Sequence, residues 1–311
     1  VFAYIVRRLL YAIPILLGTT FILFVIFNIV PGDPALQLAG KHATVESLAT
    51  IRAELGLDKP WYLQYFDLLK QLLSFDFGRS YATKMKITDM IREGAGTSFS
   101  LTFPVFIMST IISLVIGVVI AIKRGSLVDK TIVTLSVAAQ SVSILVYILA
   151  GQYVLAYQWG WFPISGFDPS WVDRWQYFML PWLIYLCLAV APELRFYRTI
   201  ILDELYQDYV RTARSKGLGT KTIMLKHVLK NAMIPILTNL VISIPFLILG
   251  ALLLESYFQI PGLGDLIIKA IANSDRPVII SVTVLGTAAY IVFNLLSDIM
   301  YALVDPRVQL K

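Results

Sequence analysis

The chain has 311 residues; 58% are hydrophobic, only 15% are charged, the mean hydropathy is +0.74 and the formal net charge is +6. Soluble domains run at about 45–50% apolar and about 25% charged, so this composition excludes a soluble fold and makes a bilayer the natural solvent. The single cysteine, Cys187, and two isolated histidines, His42 and His227, exclude an intrachain disulfide and a cysteine- or histidine-built metal cluster, and no metal or cofactor is expected.

Six uncharged apolar stretches are long enough to span: residues 9–30, 98–122, 131–157, 177–192, 234–254 and 278–297. Backbone groups in lipid must be satisfied internally, and the alternation of barrel strands is absent, so an all-α membrane protein with six transmembrane helices is expected. Prolines at 14, 104, 181, 192 and 245 are expected to kink or cap these helices. The first run is too long for a signal peptide and lacks a small-residue cleavage site, so it is expected to stay as a span.

The segment 31–97 is too long for a simple connection. "TVESLATIRAELGL" places Val45, Leu48, Ile51 and Leu55 at helical spacing behind a capping Thr44. "PWYLQYFDLLKQLL" starts a second helix with Pro60 at its first position. Its aromatic residues Trp61, Tyr62, Tyr65 and Phe66 suit a membrane surface or a partner protein equally with packing on the chain's own spans. Farther on, "GVVIA" at 117–121 has small residues four apart and suits helix–helix packing. "WGWFPISG" at 159–166 reads as an aromatic interface anchor. Cys187 reads as a small core residue. Glu193, beside the fourth span, is expected to pair with Arg195 or Arg198, while Glu255 and Asp298 are expected to cap or pair at helix ends.

Between the fourth and fifth spans lies "DYVRTARSKGLGTKTIMLKHVLKNAMIP", 208–235. The stretch 202–217 reads as one helix closed by Gly217 in the left-handed conformation. A second helix is expected from Thr220, with Ile223, Leu225, Val228, Leu229 and Ala232 alternating with Lys221, Lys226 and Lys230, lying along the membrane surface before it turns in. Two readings stand side by side: a rigid knob for a cytoplasmic protein, or a polybasic loop drawn to anionic lipid at about 1 kcal/mol per basic residue.

With six spans both termini share a side. That side holds 15 Lys and Arg and the other 11, eight of them in the long 31–97 loop; the short-loop comparison is 15 against 3. Both termini are therefore expected to be cytoplasmic. The net charge follows from this bias, and no nucleic-acid partner is expected.

The 208–235 stretch resembles the cytoplasmic "EAA" loop of ATP-binding-cassette importer permeases, most of all the B-type subunit of the oligopeptide/dipeptide branch. That branch reads D-Y-hydrophobic-R-T-A-R-A-K-G-L and then H-A-L-K-N-A-x-x-P; this chain reads "DYVRTARSKGL" at 208–218 and "HVLKNAMIP" at 227–235. Arg211, Thr212 and Ala213 stand where the general motif has Glu-Ala-Ala, and Lys230 where it has Pro. Other matches lie in order along nearly the whole chain: "RRLLYAIPILLG" and "PGDP" at 31–34, the loop 55–81, "ESYFQIPGLGDLI" at 255–267 and "NLLSDIMYALVDPRV" at 294–308.

The resemblance implies a type I importer permease fold, with residues 1–311 forming a single transmembrane domain, 31–97 an external loop with short helices and 195–233 a cytoplasmic coupling loop. It implies a non-catalytic pathway for di- or oligopeptides. The partners would be a second homologous permease, two cytoplasmic ATPase subunits and an extracytoplasmic peptide-binding protein. The ATPase contact would be made by Asp208, Arg211, Thr212, Ala213, Arg214, Ser215, Lys216 and Gly217. No G-x-x-x-x-G-K followed by Ser or Thr occurs, so ATP hydrolysis is expected on another chain. The same branch also carries nickel complexes and other small solutes, which stays open. An ion-coupled secondary transporter would need inverted repeats and mid-membrane charges, and neither is present.

Overall fold

The computed structural model describes residues 2–29, 44–54 and 57–304. "PGDP" at 31–34, His42 and "DPRV" at 305–308 lie outside the described residues. The described chain is helical, with one isolated bridge between Arg79 and Lys86. Five helical stretches are long and apolar enough to cross a membrane, and a bent pair makes a sixth.

The helices are α1 (Phe2–Phe24), α2 (Val45–Glu54), α3 (Trp61–Leu73), α4 (Ile87–Ile122), α5 (Leu127–Ser141), α6 (Ile144–Gly151) and α7 (Trp171–Leu205). They are followed by α8 (Asp208–Ser215), α9 (Thr220–Ile223), α10 (Leu229–Leu249), α11 (Leu252–Phe258), α12 (Leu263–Ala272) and α13 (Arg276–Val304). Wider π-helical turns extend α1 through Val25–Ile29, α6 through Gln152–Gln158, and join α9 to α10 through Met224–Val228. Pro14, Pro104, Pro181, Pro192, Pro235 and Pro245 sit inside helices, each removing one backbone donor. Pro60 precedes α3 as its cap rather than opening it.

Two expected helices are broken. The third span is not one rod: α5 and its continuation α6 meet at 89° across Val142–Ser143. Ser143 is extended there, and its hydroxyl accepts the amide of Leu145, so the side chain starts a new helix where the old one ends. The expected 202–217 helix also divides. α7 ends at Leu205, Gln207 is extended, and α8 begins at Asp208. The guanidinium of Arg124 lies over the Tyr206 ring and bonds its hydroxyl, holding the turn. The helix expected to lie along the surface from Thr220 instead runs on, through the π turn, into the fifth span.

The chain forms two compact units, residues 1–94 with 266–295 and residues 95–265 with 296–311. In the first, Tyr65 of α3 docks on α1: its hydroxyl donates to Leu17 O at 3.0 Å, and its ring meets Phe21 and Phe24 at 5.5 Å. In the second, one buried cluster gathers Ala121 of α4, Tyr197 and Ile201 of α7, Val210 and Ala213 of α8, and Ile223, Met224, Val228, Ala232 and Ile236 along α9 to α10. Gly117, the first residue of "GVVIA", lets α4 approach α7 so closely that a Cβ would lie 3.4 Å from the Arg198 backbone nitrogen. A second cluster packs Leu101 of α4, Ile148 of α6, Phe178 and Ile184 of α7, and Leu254 and Phe258 of α11. Cys187, expected in the core, is exposed, because no element of the described chain covers that turn of α7. Glu193 pairs with neither expected arginine: Arg198 goes to Asp129 and Arg195 to Gln140, while Glu193 accepts from Ser109.

Candidate functional site

The helix α8 carries every residue of the sequence-derived contact set except its two closing positions, Lys216 and Gly217. Its two faces differ sharply. Val210 and Ala213 point into the first cluster of the second unit and are 0% and 6% exposed. Burying Val210 is worth about 1.5–2 kcal/mol, which fastens an otherwise marginal eight-residue helix to its own chain. Asp208, Arg211, Thr212, Arg214, Ser215, Lys216 and Gly217 are exposed. Ala213, which the resemblance includes in the ATPase contact, therefore faces the chain's own core instead. Its small side chain lets α8 sit close on the chain's own core.

The end of α8 is a Schellman motif. Leu218 donates its amide to Ala213 O at 3.3 Å and Gly217 donates to Arg214 O at 2.9 Å, with Gly217 at φ +79°. An ideal Cβ on Gly217 would meet nothing within 4 Å, so only backbone conformation demands glycine. The exposed hydroxyls satisfy the helix itself: Thr212 Oγ1 donates to Asp208 O and Ser215 Oγ to Thr212 O. The Arg211–Asp208 pair is 3.6 Å long and fully in solvent, where such pairs contribute little. Arg211, Arg214 and Lys216 thus stand as a cationic face on a helix anchored from behind. At its base the Tyr209 hydroxyl donates to Glu204 at 2.5 Å. Burial, reinforced by that hydrogen bond to a carboxylate, pushes the Tyr209 pKa up to about 12.

The helix α3 is equally two-faced. Tyr65 is the inward residue, while Trp61, Tyr62 and Phe66 are 57%, 56% and 68% exposed. Lys59 and Asp67 bridge the start of the helix at 2.5 Å.

Three carboxylates missed or undervalued in the sequence organise backbone. Glu255 is 0% exposed and accepts the amides of Ala251, Gly264 and Asp265 at 3.1, 2.7 and 3.2 Å. Around it, a Cβ on Gly262 would collide with Glu255 and Ser98, and one on Gly264 would lie 2.6 Å from Leu252 Cα. The spacing of "ESYFQIPGLG" is thus the spacing of a loop folded over its own acid. Asp275 accepts the Ser80 hydroxyl, the Tyr81 amide at 3.0 Å and the Ala82 amide at 3.3 Å, closing the loop before α4. Burial raises the Tyr81 pKa, opposed by Arg276 and helped by Asp275. Asp129 caps the turn before α5 and holds Arg198. A signal was available for Glu255, in the glycines around it. Nothing local marks Asp275, whose partners are far away in sequence, or the bond from Asp129 to Arg198, 69 residues on.

Comparison with known proteins agrees over the whole chain. The family described as "Binding-protein-dependent transport system inner membrane component" matches residues 113–310, and the N-terminal component of such membrane systems matches residues 1–102. The chain is 32% identical to the glutathione transport system permease protein GsiC of Salmonella typhimurium, with 99% of each chain covered, and the match to GsiC of Escherichia coli has the same values. It is 34% identical to a probable peptide ABC transporter permease protein of Sinorhizobium fredii, covering 98% of this chain and 99% of the other.

Proposed function

The chain belongs to the binding-protein-dependent transport system inner membrane components, and on that premise we propose that it forms half of a peptide pathway driven through α8. As a family member it is a multi-pass inner-membrane permease subunit of an ATP-binding-cassette importer, a transport part and not a catalyst. The proposal adds the cargo, the partners and the contact. The cargo is a di- or oligopeptide, supported by relatives named for glutathione and for peptides. The second half of the pathway is a homologous permease. Two ATPase subunits dock on the cytoplasmic side, and an external binding protein delivers the peptide. The excess of Lys and Arg in short loops supports cytoplasmic termini and a cytoplasmic α8.

The observation that carries the reading is the asymmetry of α8. A part that transmits force must be fixed to its own body and bare toward the driver. Val210 and Ala213 provide the first, and Arg211, Arg214, Ser215 and Lys216 the second. A cationic rim gives orientation and charge complementarity in docking more than raw affinity. The bare aromatics of α3 suit the binding protein, because Trp and Tyr are favoured at interface centres.

A cysteine in place of Ser215 tests this in the assembled importer. It should cross-link to the ATPase subunit, and Ala213→Leu, which overfills the seat behind α8, should lower peptide uptake relative to ATP hydrolysis. If no position from 208 to 218 cross-links and Ala213→Leu transports normally, α8 is a lipid-facing loop instead.

A further inference from the structure

Glu193 lies in α7 directly after Pro192, and half of its carboxylate is unused. Oε1 accepts the Ser109 hydroxyl at 3.1 Å. Oε2 is shielded from solvent without a hydrogen-bond donor, and the nearby Ser113 hydroxyl donates to Val190 O instead. The guanidiniums on the same helix are committed: Arg195 donates to Gln140 at 2.6 Å, and Arg198 holds Asp129 at 2.7 and 2.8 Å. An ionised carboxylate away from water needs a countercharge or several donors, and within a span such a group marks a site more often than a scaffold.

The carboxylate lines a cavity of about 170 Å³ with Ser109, Tyr185 and Ser243 as its polar wall and Phe106 and Phe246 among its apolar neighbours. Whole drug-sized ligands take about 300–1,000 Å³, so this cavity takes one end of a molecule. It is acceptor-rich. Ser243 already donates to Asn239 O, leaving its oxygen lone pairs free to accept, and the Tyr185 oxygen is a further acceptor. These two oxygens and the open carboxylate oxygen of Glu193, three acceptors in all, match the three N–H donors of an ammonium group. Peptides of any sequence share one such group, the α-ammonium.

We propose that the Glu193 cavity is a subsite on the transport path that receives the α-ammonium group of the peptide. The inference rests on the peptide reading above. It assigns the chain a selectivity of its own for a free amino terminus, indifferent to side chains. The contact is to one charge at one end, which lets the peptide leave as readily as it enters.

The test uses the complete importer in proteoliposomes, with trialanine as the transported probe and a tripeptide carrying a photo-reactive first residue as the mapping probe. Glu193→Gln should lower trialanine uptake about tenfold, the loss of one charge-assisted contact. Glu193→Asp should restore most of it. The mapping probe should label the Tyr185 and Ser243 walls in the wild type and lose that labelling in Glu193→Gln. Ser243→Ala, which removes an acceptor and no charge, should weaken the same labelling and keeps the test open if Glu193→Gln does not assemble. Trialanine uptake by Glu193→Gln at the wild-type rate, or labelling of the walls that neither substitution changes, overturns the subsite while leaving the peptide reading intact. A wild-type importer that carries no peptide overturns both.

Discussion

Arg198 grips Asp129 with both arms of its guanidinium, Nε at 2.7 Å from Oδ1 and Nη2 at 2.8 Å from Oδ2. Asp129 Oδ2 also accepts the Gly125 amide at 2.9 Å. One carboxylate therefore bolts the turn between α4 and α5 to α7, beside the cluster on which α8 sits. The same bond takes away the cation that the sequence offers to Glu193, and so leaves that carboxylate facing its cavity.

Asp129→Ala should destabilise the protein by about 3 kcal/mol, since it strands a partly buried guanidinium. Arg198→Lys keeps the charge but loses the fork, and should cost about 1 kcal/mol. Thermal unfolding of the purified complex ranks them; equal midpoints for both variants and wild type would make the pair ornamental.

Gly264→Ala should destabilise by at least about 2 kcal/mol, because its Cβ would lie 2.6 Å from Leu252 Cα and backbone must move to admit it. Glu255→Ala removes the acceptor of three amides, at about 1–3 kcal/mol for each left buried. Heat-induced aggregation of the detergent-solubilised protein reads both; a Gly264→Ala protein as stable as wild type would contradict the close packing.

Replacing Trp61, Tyr62 and Phe66 together with serine should leave the amount of folded permease unchanged, because all three are exposed. Capture of the loaded binding protein should fall about tenfold, the scale of losing one interface anchor. Tyr65→Phe should behave oppositely, costing about 1 kcal/mol of stability through its lost bond to Leu17 O and leaving capture untouched. Surface-immobilised importer against the binding protein decides, and full capture by the triple variant removes α3 from the receiving surface.

Tyr209 has a testable sign. Its pKa lies at about 12 in the folded protein, above the ordinary 10.0, so the folded state keeps a proton that the unfolded state has lost between those values. Its stabilising contribution is fully present below pH 10.0 and disappears as pH rises through about 12. Glu204→Gln should lower the Tyr209 pKa by relieving the carboxylate beside the phenol. Phenolate absorbance of the wild type compared with Tyr209→Phe and Glu204→Gln follows it; a Tyr209 titrating at its ordinary value would remove the α8 base from the buried cluster.

The sequence by itself determined that this chain is an all-helical membrane protein, because a run of twenty apolar residues has one solution in lipid and needs no partner to reveal it. It determined the membership as well, since motifs such as "DYVRTARSKGL" and "ESYFQIPGLG" are local strings, and the closure of α8 at Gly217 needs only a glycine and five preceding residues. Tertiary structure decided the rest, and each case turns on distance along the chain. Hydroxyls at 141 and 143 did not announce an 89° break, because serines such as Ser109 and Ser113 also sit inside the unbroken helix α4. Ala213 read the same whether it faced out or in, and only the packing of Tyr197, Ile201 and Val228 shows which. Glu193 was given arginines two and five residues away. The structure sends them to Gln140 and Asp129: Arg198 takes a distant carboxylate that matches its fork over the one nearest in sequence, and Arg195 bonds a side-chain amide on another helix.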